Sequence, residues 1–153
     1  MLFSSEKTSV TTIKLGVAVL VEDAAGAVLL DLRRDCGLWG LPGGRVETGE
    51  SVAAAAIRET QEETGFEVSL TGLQGIYSEP ADRIVTYEDN GDVRHLVDIV
   101  LTARIVAGQL ACSPESIRLE FFPRNGLPAA ETIAPPARQA IRDYLDGVKA
   151  TIR

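Results

Sequence analysis

The chain has 153 residues, of which 45% are hydrophobic and 24% are charged, and its formal net charge is −7. A chain of this size and composition predicts one globular domain, residues 1–153, with a core of its own. The negative charge argues against a large nonspecific nucleic-acid surface and any nucleic-acid partner, because such surfaces are positively charged. It is compatible with a small phosphorylated ligand, since bound cations reverse the local field.

Two cysteines, Cys36 and Cys112, lack the spacing of a metal site, and we interpret both as free thiols of a reducing compartment. The first ten residues lack the apolar segment of a secretory signal. No run reaches the about 18 apolar residues that a membrane span needs. We therefore expect a cytoplasmic protein with no membrane partner.

The first part of the chain predicts a terminus and two strands. Met1–Thr11 is polar and is expected to be a loose terminus. Ile13–Val21 is dense in β-branched residues and predicts a strand buried on both faces. Glu22–Gly26 is typical of a turn, and Ala27–Arg33 predicts a second strand that forms a hairpin with the first. A glycine-rich connection around Trp39 follows.

A helix is predicted over Val52–Thr64, with Ser51 as its N-cap and Gly65 at the left-handed position that ends it. Its spacing places three carboxylates on one face: Glu59, Glu62 and Glu63. An apolar face lies about a quarter-turn away and is formed by Val52, Ala53, Ala56, Ile57 and Thr60.

Several strands follow the helix. Glu67–Tyr77 predicts a strand interrupted at two glycines, Gly72 and Gly75. Ile84–Tyr87 and Val93–Val106 flank an Asn-Gly pair that indicates a hairpin turn, because both central residues of a type I′ turn need positive φ.

The last part of the chain predicts a short strand at Arg118–Phe122 and a helix that starts at Pro135-Pro136. An apolar stripe on this helix is formed by Ile141, Tyr144, Leu145 and Val148. The element order favours a mixed β-sheet packed between two helices, an α/β fold.

The acidic helix suggests a chemistry. Three carboxylates this close repel one another, so they stabilise a purely structural helix little. A hard divalent cation such as Mg²⁺ reverses that balance, because it binds carboxylate oxygens and also accepts phosphate oxygens and water. The preceding Gly43 and Gly44 have no side chains and so allow close approach of backbone to a metal or a phosphate.

The segment Gly44–Phe66 resembles the Nudix box of the Nudix hydrolases, G-x5-E-x7-R-E-U-x-E-E-x-G-U, in which U is a bulky apolar residue. All seven fixed residues are present: Gly44, Glu50, Arg58, Glu59, Glu62, Glu63 and Gly65. One position departs, since Thr60 stands where an aliphatic residue is usual. That departure concerns packing and leaves the chemistry intact.

The resemblance implies an α/β/α sandwich of Nudix type and a reaction, the hydrolysis of a phosphoanhydride in a nucleoside diphosphate linked to another moiety. It implies Mg²⁺, with Mn²⁺ as the alternative, bound by the box carboxylates and by the Gly44 carbonyl. The catalytic set implied is Glu59, Glu62 and Glu63, together with Arg58 as an orienting partner of Glu50 or of a catalytic glutamate. Which glutamate assists the water is left open.

A further acidic ligand in this family often comes from a loop after the box, and Glu115 is the first candidate. The alternatives are Glu120, Asp92 and Glu88, and a solvated surface charge is the other interpretation of each. Homodimers are frequent in the family, so a homodimer is an expectation by analogy.

Three aromatic residues are candidates for stacking on a nucleobase: Trp39, Tyr77 and Tyr87. Core packing is the preferred interpretation of Trp39, and His95 is expected to be structural. The substrate candidates are nucleoside triphosphates, damaged nucleotides, ADP-ribose and nucleotide sugars. The alternative function is a nucleotide-binding sensor of the same fold without turnover.

Overall fold

The computed structural model describes residues 2–4, 12–87 and 91–153. Two α-helices are present in this part of the chain, α1 (Val52–Thr64) and α2 (Pro135–Leu145). They accompany one sheet whose strands are β1 (Leu2–Ser4), β2 (Thr12–Glu22), β3 (Val28–Arg33), β4 (Trp39–Gly40), β5 (Gly43–Arg45), β6 (Phe66–Tyr77), β7 (Ile84–Thr86), β8 (Val93–Gly108), β9 (Ser116–Phe122) and β10 (Thr151–Ile152).

Two long strands form the centre of the sheet. β2 and β8 run parallel from the pair Thr12–Arg94 to the pair Glu22–Arg104. β8 also pairs antiparallel with β6 and β7, while β2 pairs antiparallel with β5 and β3 on its other edge. Parallel and antiparallel pairs therefore occur together, and the predicted mixed sheet is confirmed.

Alternation along β2 divides the core into two layers. Val17, Val19 and Val21 pack in a cluster with Ala55 and Ala56 of α1. The intervening side chains Ala18 and Leu20 pack in a second cluster with Ala137, Ala140 and Ile141 of α2. Successive side chains of a strand point to opposite faces, so each helix covers one face of the sheet. The predicted α/β/α sandwich is confirmed.

The ends of α1 agree with the sequence. The Ser51 hydroxyl accepts a hydrogen bond from the Ala54 N–H over 3.1 Å, and Gly65 has a φ of 76° and donates to the Gln61 carbonyl. The apolar face of α1 was predicted wrongly in part, because Ala53 and Ile57 are exposed to solvent. The buried positions are Ala55, Ala56, Thr60, Glu63 and Thr64. Thr60 fits there because its hydroxyl donates to the Ala56 carbonyl over 2.8 Å.

The N-terminal predictions need correction. Residues 2–4 of the predicted loose terminus form β1, which pairs with β7; the rest of Met1–Thr11 lies outside the described residues. In β2, Ile13 is 71% exposed and Leu15 is 42% exposed. The strand is therefore not buried on both faces throughout, because the clusters under the two helices begin only at Val17 and Ala18.

Predictions for the later strands were accurate in position and less so at the ends. The pairing of β6 with β8 shifts register at Gly72 and Gly75, where interruptions were predicted. β7 and β8 form the predicted hairpin pairing, and the Tyr87 N–H donates to the Asp92 carbonyl over 2.9 Å; residues 88–90 of the turn lie outside the described residues.

The last helix begins where it was predicted, at Pro135. Its stripe is shorter than predicted, because Leu145 is 37% exposed and Val148 lies beyond the end of α2. None of the helices in the described ranges has the length and the apolar composition to cross a bilayer.

The left-handed glycine that ends α1 gives a stability prediction. A Cβ on Gly65 would lie 2.3 Å from the Gln109 carbonyl oxygen, whereas Gly26 has a similar φ of 79° with no atom within 4 Å of its Cβ position. Gly65→Ala is expected to lower the free energy of unfolding by about 3 kcal/mol, because a clash adds to the backbone strain, and Gly26→Ala by about 1 kcal/mol. Urea denaturation of both variants measures the difference, and equal losses would contradict the clash.

Candidate active site

A cleft of about 430 Å³ opens where β2, β5 and β8 meet α1 and the start of α2. The residues that line the cleft are arranged along β2, where Lys14 pairs with Leu96, Gly16 with Asp98, and Val17 with Gly44. One end of the cleft is therefore formed by the Gly43-Gly44 strand with acidic residues of α1. The other end is formed by the first residues of β2 and β8.

The carboxylate of Glu59 lies directly against the backbone of Gly44. A Cβ on Gly44 would be 2.5 Å from both Cδ and Oε1 of Glu59. No residue with a side chain could take this place without displacing the carboxylate. The close approach expected of the glycine pair is therefore present, and it places a carboxylate beside the β5 backbone.

Glu63 occupies the buried side of the same end. Its side chain lines the cleft but the residue is only 7% exposed, and its Oε2 accepts a hydrogen bond from the Gly43 N–H over 2.8 Å. Burial raises the pKa of Glu63 to about 8, against the lowering effect of the Gly43 N–H and of the nearby Arg33 guanidinium. Burial thus favours the neutral form of this carboxyl group.

Arg58 connects the acidic residues of the box. Its Nε and Nη2 donate to the two oxygens of Glu50 over 2.8 and 3.0 Å, which is a bidentate pair. Its Nη1 lies 3.0 Å from Oε1 of Glu59 and 3.2 Å from Oε2 of Glu62. These bonds raise the pKa of Arg58 and lower the pKa of Glu50. The predicted orienting contact between Arg58 and Glu50 is present.

Glu62 is placed differently from its two neighbours. Its side chain is 59% exposed, it does not line the cleft, and it contacts Arg58. Across residues 2–4, 12–87 and 91–153, no group of three or more His, Cys, Asp or Glu side chains is arranged to hold a metal ion. The three carboxylates differ in their partners: Glu63 accepts from the Gly43 N–H, whereas Glu59 and Glu62 share Nη1 of Arg58.

The candidates for an additional acidic ligand differ in whether they line the cleft. Glu115 is exposed and lines the cleft together with Glu59 and Glu63. Glu120 lies on β9 and pairs with Arg118 at 3.0 Å, and Asp92 pairs with Arg94 at 2.8 Å. Neither of these lines the cleft. Glu88 lies outside the described residues. Of the four, Glu115 is thus the one that the fold brings to the cleft.

The three aromatic candidates also differ in whether they line the cleft or lie in the core. Tyr87 lines the cleft, and its ring lies 4.4 Å from Cζ of Arg94 and 5.6 Å from Nζ of Lys14. Tyr77 is 1% exposed and its hydroxyl donates to Asp143 over 3.1 Å, so it belongs to the core.

Trp39 also belongs to the core, because it is 7% exposed and packs edge-on against Phe122 with ring centroids 5.0 Å apart. Tyr77 is therefore corrected from a stacking candidate to a core residue, and Trp39 has the core position that was its preferred interpretation. His95 lies on β8, with Nε2 2.6 Å from the Ser78 carbonyl oxygen, which is a structural contact.

Two charged residues of the cleft region were not found from the sequence. Asp98 lines the cleft and forms an ion pair with Arg83, which is 3% exposed. Burial raises the pKa of Asp98 and lowers that of Arg83, while the mutual attraction opposes both shifts. The available signal was a carboxylate inside the otherwise apolar run of residues 96–101, where an unpaired charge is costly.

The comparisons with known proteins agree with this geometry. The model of the NUDIX domain matches residues 12–144. A MutT-like protein of Streptomyces ambofaciens is 38% identical over 148 residues, which are 97% of this chain and 87% of that protein. An ADP-ribose pyrophosphatase of Methanocaldococcus jannaschii is 35% identical over 109 residues, which are 71% of this chain and 58% of that protein.

A solved structure is similar over nearly the whole chain. The ADP-ribose pyrophosphatase of Streptococcus suis superposes with a TM-score of 0.69 and covers 92% of this chain and 98% of its own. The two sequences are 18% identical, so this likeness concerns the fold.

Burial of Glu63 predicts how stability depends on pH. Its pKa is raised to about 8 in the folded chain from an ordinary value of 4.5, so the folded state binds this proton more tightly than the unfolded state. The stabilisation is complete below about pH 4.5 and is lost as the pH rises through about 8, by up to about 5 kcal/mol at 1.36 kcal/mol per unit.

Glu63→Gln keeps an acceptor for the Gly43 N–H and removes the titration. In metal-free protein, the free energy of unfolding should therefore fall less between pH 5 and pH 8 in this variant than in the wild type. Chemical denaturation across this range measures both slopes, and identical slopes would show that Glu63 does not titrate as its burial requires.

Proposed function

The chain belongs to the Nudix family of hydrolases, and from this membership and the cleft geometry we propose that it hydrolyses, with Mg²⁺, the phosphoanhydride bond of a nucleoside diphosphate linked to another moiety. The observation that carries the proposal is the contact of Glu59 and Glu63 with the Gly43-Gly44 backbone at one end of the cleft. It brings carboxylate oxygens and peptide groups together where a phosphate can enter.

The residues at this end fit a hard divalent cation. The donor set is entirely oxygen, from carboxylates and a backbone carbonyl, which suits Mg²⁺ or Mn²⁺. The space beside Gly44 that a Cβ would fill is bordered by the Glu59 carboxylate. In our proposal Gly44, Glu59, Glu62, Glu63 and Glu115 hold the metal. Bound there, the cation supplies Lewis acidity that neutralises phosphate oxygens and acidifies water.

The remaining cleft residues have complementary tasks. Arg58 positions Glu59 while its bidentate bond to Glu50 fixes the guanidinium. Lys14, Arg33 and Arg45 line the cleft and supply positive charge for phosphate oxygens. Positioning and electrostatic stabilisation provide most of the rate enhancement in phosphoryl transfer, so these charges support the proposed reaction.

The substrates to be tested are the candidates proposed from the family resemblance, and one relative supports them. A relative is named an ADP-ribose pyrophosphatase, and that compound is a nucleoside diphosphate linked to a second sugar. ADP-ribose, nucleotide sugars, nucleoside triphosphates and damaged nucleotides form the panel to be tested. A homodimer and a cytoplasmic location stay predictions.

The proposal predicts that turnover depends on Glu59. Wild-type protein with Mg²⁺ should release phosphate, pyrophosphate or a nucleotide from at least one member of the panel. Glu59→Gln should lower kcat by about 100-fold or more, as expected when a group that stabilises the transition state is removed. Glu67→Gln, which removes an exposed carboxylate of β6 outside the cleft, should retain wild-type turnover.

A folded wild-type protein that binds Mg²⁺ and nucleotides but turns over no member of the panel would overturn the hydrolase. That result would instead establish the alternative, a nucleotide-binding sensor. Wild-type rates in Glu59→Gln would also contradict the assignment of the site.

The position of Glu115 gives a separate prediction about the metal. Glu115→Gln should raise the Mg²⁺ concentration needed for half-maximal activity by about 10-fold or more, because even outer-shell groups of metal sites contribute 10- to 100-fold. Glu120→Gln should leave that concentration unchanged, since Glu120 pairs with Arg118 away from the cleft. Activity measured against Mg²⁺ concentration compares the two, and a larger effect of Glu120→Gln would reverse the assignment.

A further inference from the structure

An ion pair lies on the β8 side of the cleft, across Gly16 from the Gly44 carbonyl oxygen. Asp98 of β8 lines the cleft, and its Oδ2 accepts a hydrogen bond from Nη1 of Arg83. Asp98 sits beside Gly16 in the parallel ladder, two residues before Val100. Because Val100 packs in the α2 cluster, Asp98 faces the α2 side of the sheet.

Arg83 is held in place on several sides. Its Nη2 donates to the carbonyl of Pro136 in the first turn of α2, and its guanidinium carbon lies 5.4 Å from the centre of the Tyr77 ring. The residue is 3% exposed. Arg83 is therefore a rigid donor, and the carboxylate that it binds is rigid too.

The second oxygen of Asp98 is left for the cleft. Within the described residues, no donor is hydrogen-bonded to Oδ1. Oδ1 is not one of the fully buried side-chain atoms without a partner, so it is accessible from the cleft that Asp98 lines. Space for it depends on Gly16, because a Cβ there would lie 2.5 Å from Oδ1. One oxygen is thus anchored by Arg83, and the other is an open acceptor at the cleft wall.

The contribution of the Asp98–Arg83 ion pair to stability does not explain its position at the cleft. Burying two charges costs desolvation, and apolar replacements of such pairs are often neutral or stabilising. The neighbouring wall is apolar, formed by Leu41, Val100 and Ala137. On the other side of Asp98 lie the positive charge of Lys14 and the Gly44 carbonyl oxygen. A few fixed polar groups beside an apolar wall are an arrangement typical of ligand selection.

We propose that Asp98, fixed by Arg83, selects nucleotides whose nucleoside directs an N–H or O–H donor at this wall. The inference rests on the proposed function and names the specificity-determining residue of that same cleft. A carboxylate accepts and does not donate, so a nucleoside with an acceptor at that point is rejected. The donor is an amino or imino group of the base, or a hydroxyl of the sugar.

The chemistry of asparagine makes the test directional. Arg83 has only donors, so in Asp98→Asn it must take the amide oxygen, and the amide NH2 then points into the cleft. The variant thus converts the open acceptor into a donor. In this variant, the preference for the donor-bearing nucleoside should disappear when the compared nucleoside only lacks the donor. It should reverse when the compared nucleoside carries an acceptor in place of the donor.

The probes are nucleoside monophosphates, which carry no phosphoanhydride bond and so report binding without turnover. Adenosine monophosphate is compared with purine riboside monophosphate, cytidine monophosphate with uridine monophosphate, and each ribonucleotide with its 2′-deoxy form. The first two pairs report a donor on the base and the third reports a sugar hydroxyl. Calorimetric titration in the presence of Mg²⁺ gives the ratio of dissociation constants for each pair.

The wild type should bind the donor-bearing member of at least one pair about 10- to 100-fold more tightly. Asp98→Asn should abolish or reverse that ratio. The matched control is Asp143→Asn, the same change at a buried carboxylate that does not line the cleft, and it should keep the wild-type ratio.

Gly16→Ala is a second variant in case Asp98→Asn does not fold. Its Cβ would lie 2.5 Å from Oδ1 and 3.3 Å from the Gly44 carbonyl oxygen, so it presses mainly on Oδ1 without changing the charges and should reduce the same ratio. Ratios that are equal in the wild type, or unchanged in both variants, overturn the proposal, as does the absence of any nucleotide binding.

The outcomes separate this inference from the hydrolase itself. Turnover with unchanged ratios leaves the enzyme and removes the role of Asp98. Altered ratios without turnover of any panel member leave the role of Asp98 and remove the hydrolase.

Discussion

The close approach of α1 to β5 is the constraint on which the site depends. Gly44 leaves only enough room for the Glu59 carboxylate, and a Cβ on Gly43 would lie 2.2 Å from the Val17 carbonyl oxygen of β2. β5 is therefore pressed between the central strand and the acidic helix, and only glycine fits on either side. Because this contact fixes the distance between helix and sheet, it also fixes where the cleft opens.

Charge balance explains the arrangement of the box residues. The box contains four carboxylates, those of Glu50, Glu59, Glu62 and Glu63. Arg58 contacts the first three of them. Glu63 has no guanidinium partner of this kind and is buried against a backbone N–H, so its neutral form is favoured. In the proposed metal site, a divalent cation would compete with Arg58 for Glu59 and Glu62 and would remove the advantage of the proton on Glu63. The proposal therefore places these residues between two sources of positive charge.

The sequence was sufficient where a local rule decides the structure. Ser51 and Gly65 mark the ends of α1 because capping is a property of a few adjacent residues. It was insufficient where tertiary packing decides. An alanine-rich helix has no sharp apolar boundary, so the exposure of Ala53 and Ile57 beside the buried Ala56 and Thr60 could not be deduced. Tyr77 has an amphipathic side chain that suits a cleft or a core equally, and only its bond to Asp143 on α2 decides between them.

The two ends of the cleft are ordered by different means, and this has a consequence for how selectivity and chemistry are divided. At the acidic end, Glu59 and Glu62 share Nη1 of Arg58, while Glu63 accepts from the Gly43 N–H. At the other end, Asp98 is already fixed by Arg83, which is itself fastened to α2. Asp98 and the acidic residues of α1 nevertheless line one cleft, on either side of Gly16 and Gly44. Because Arg83 holds Asp98 through bonds to Asp98 and Pro136, outside the acidic helix, substitutions at Asp98 should alter which nucleoside binds.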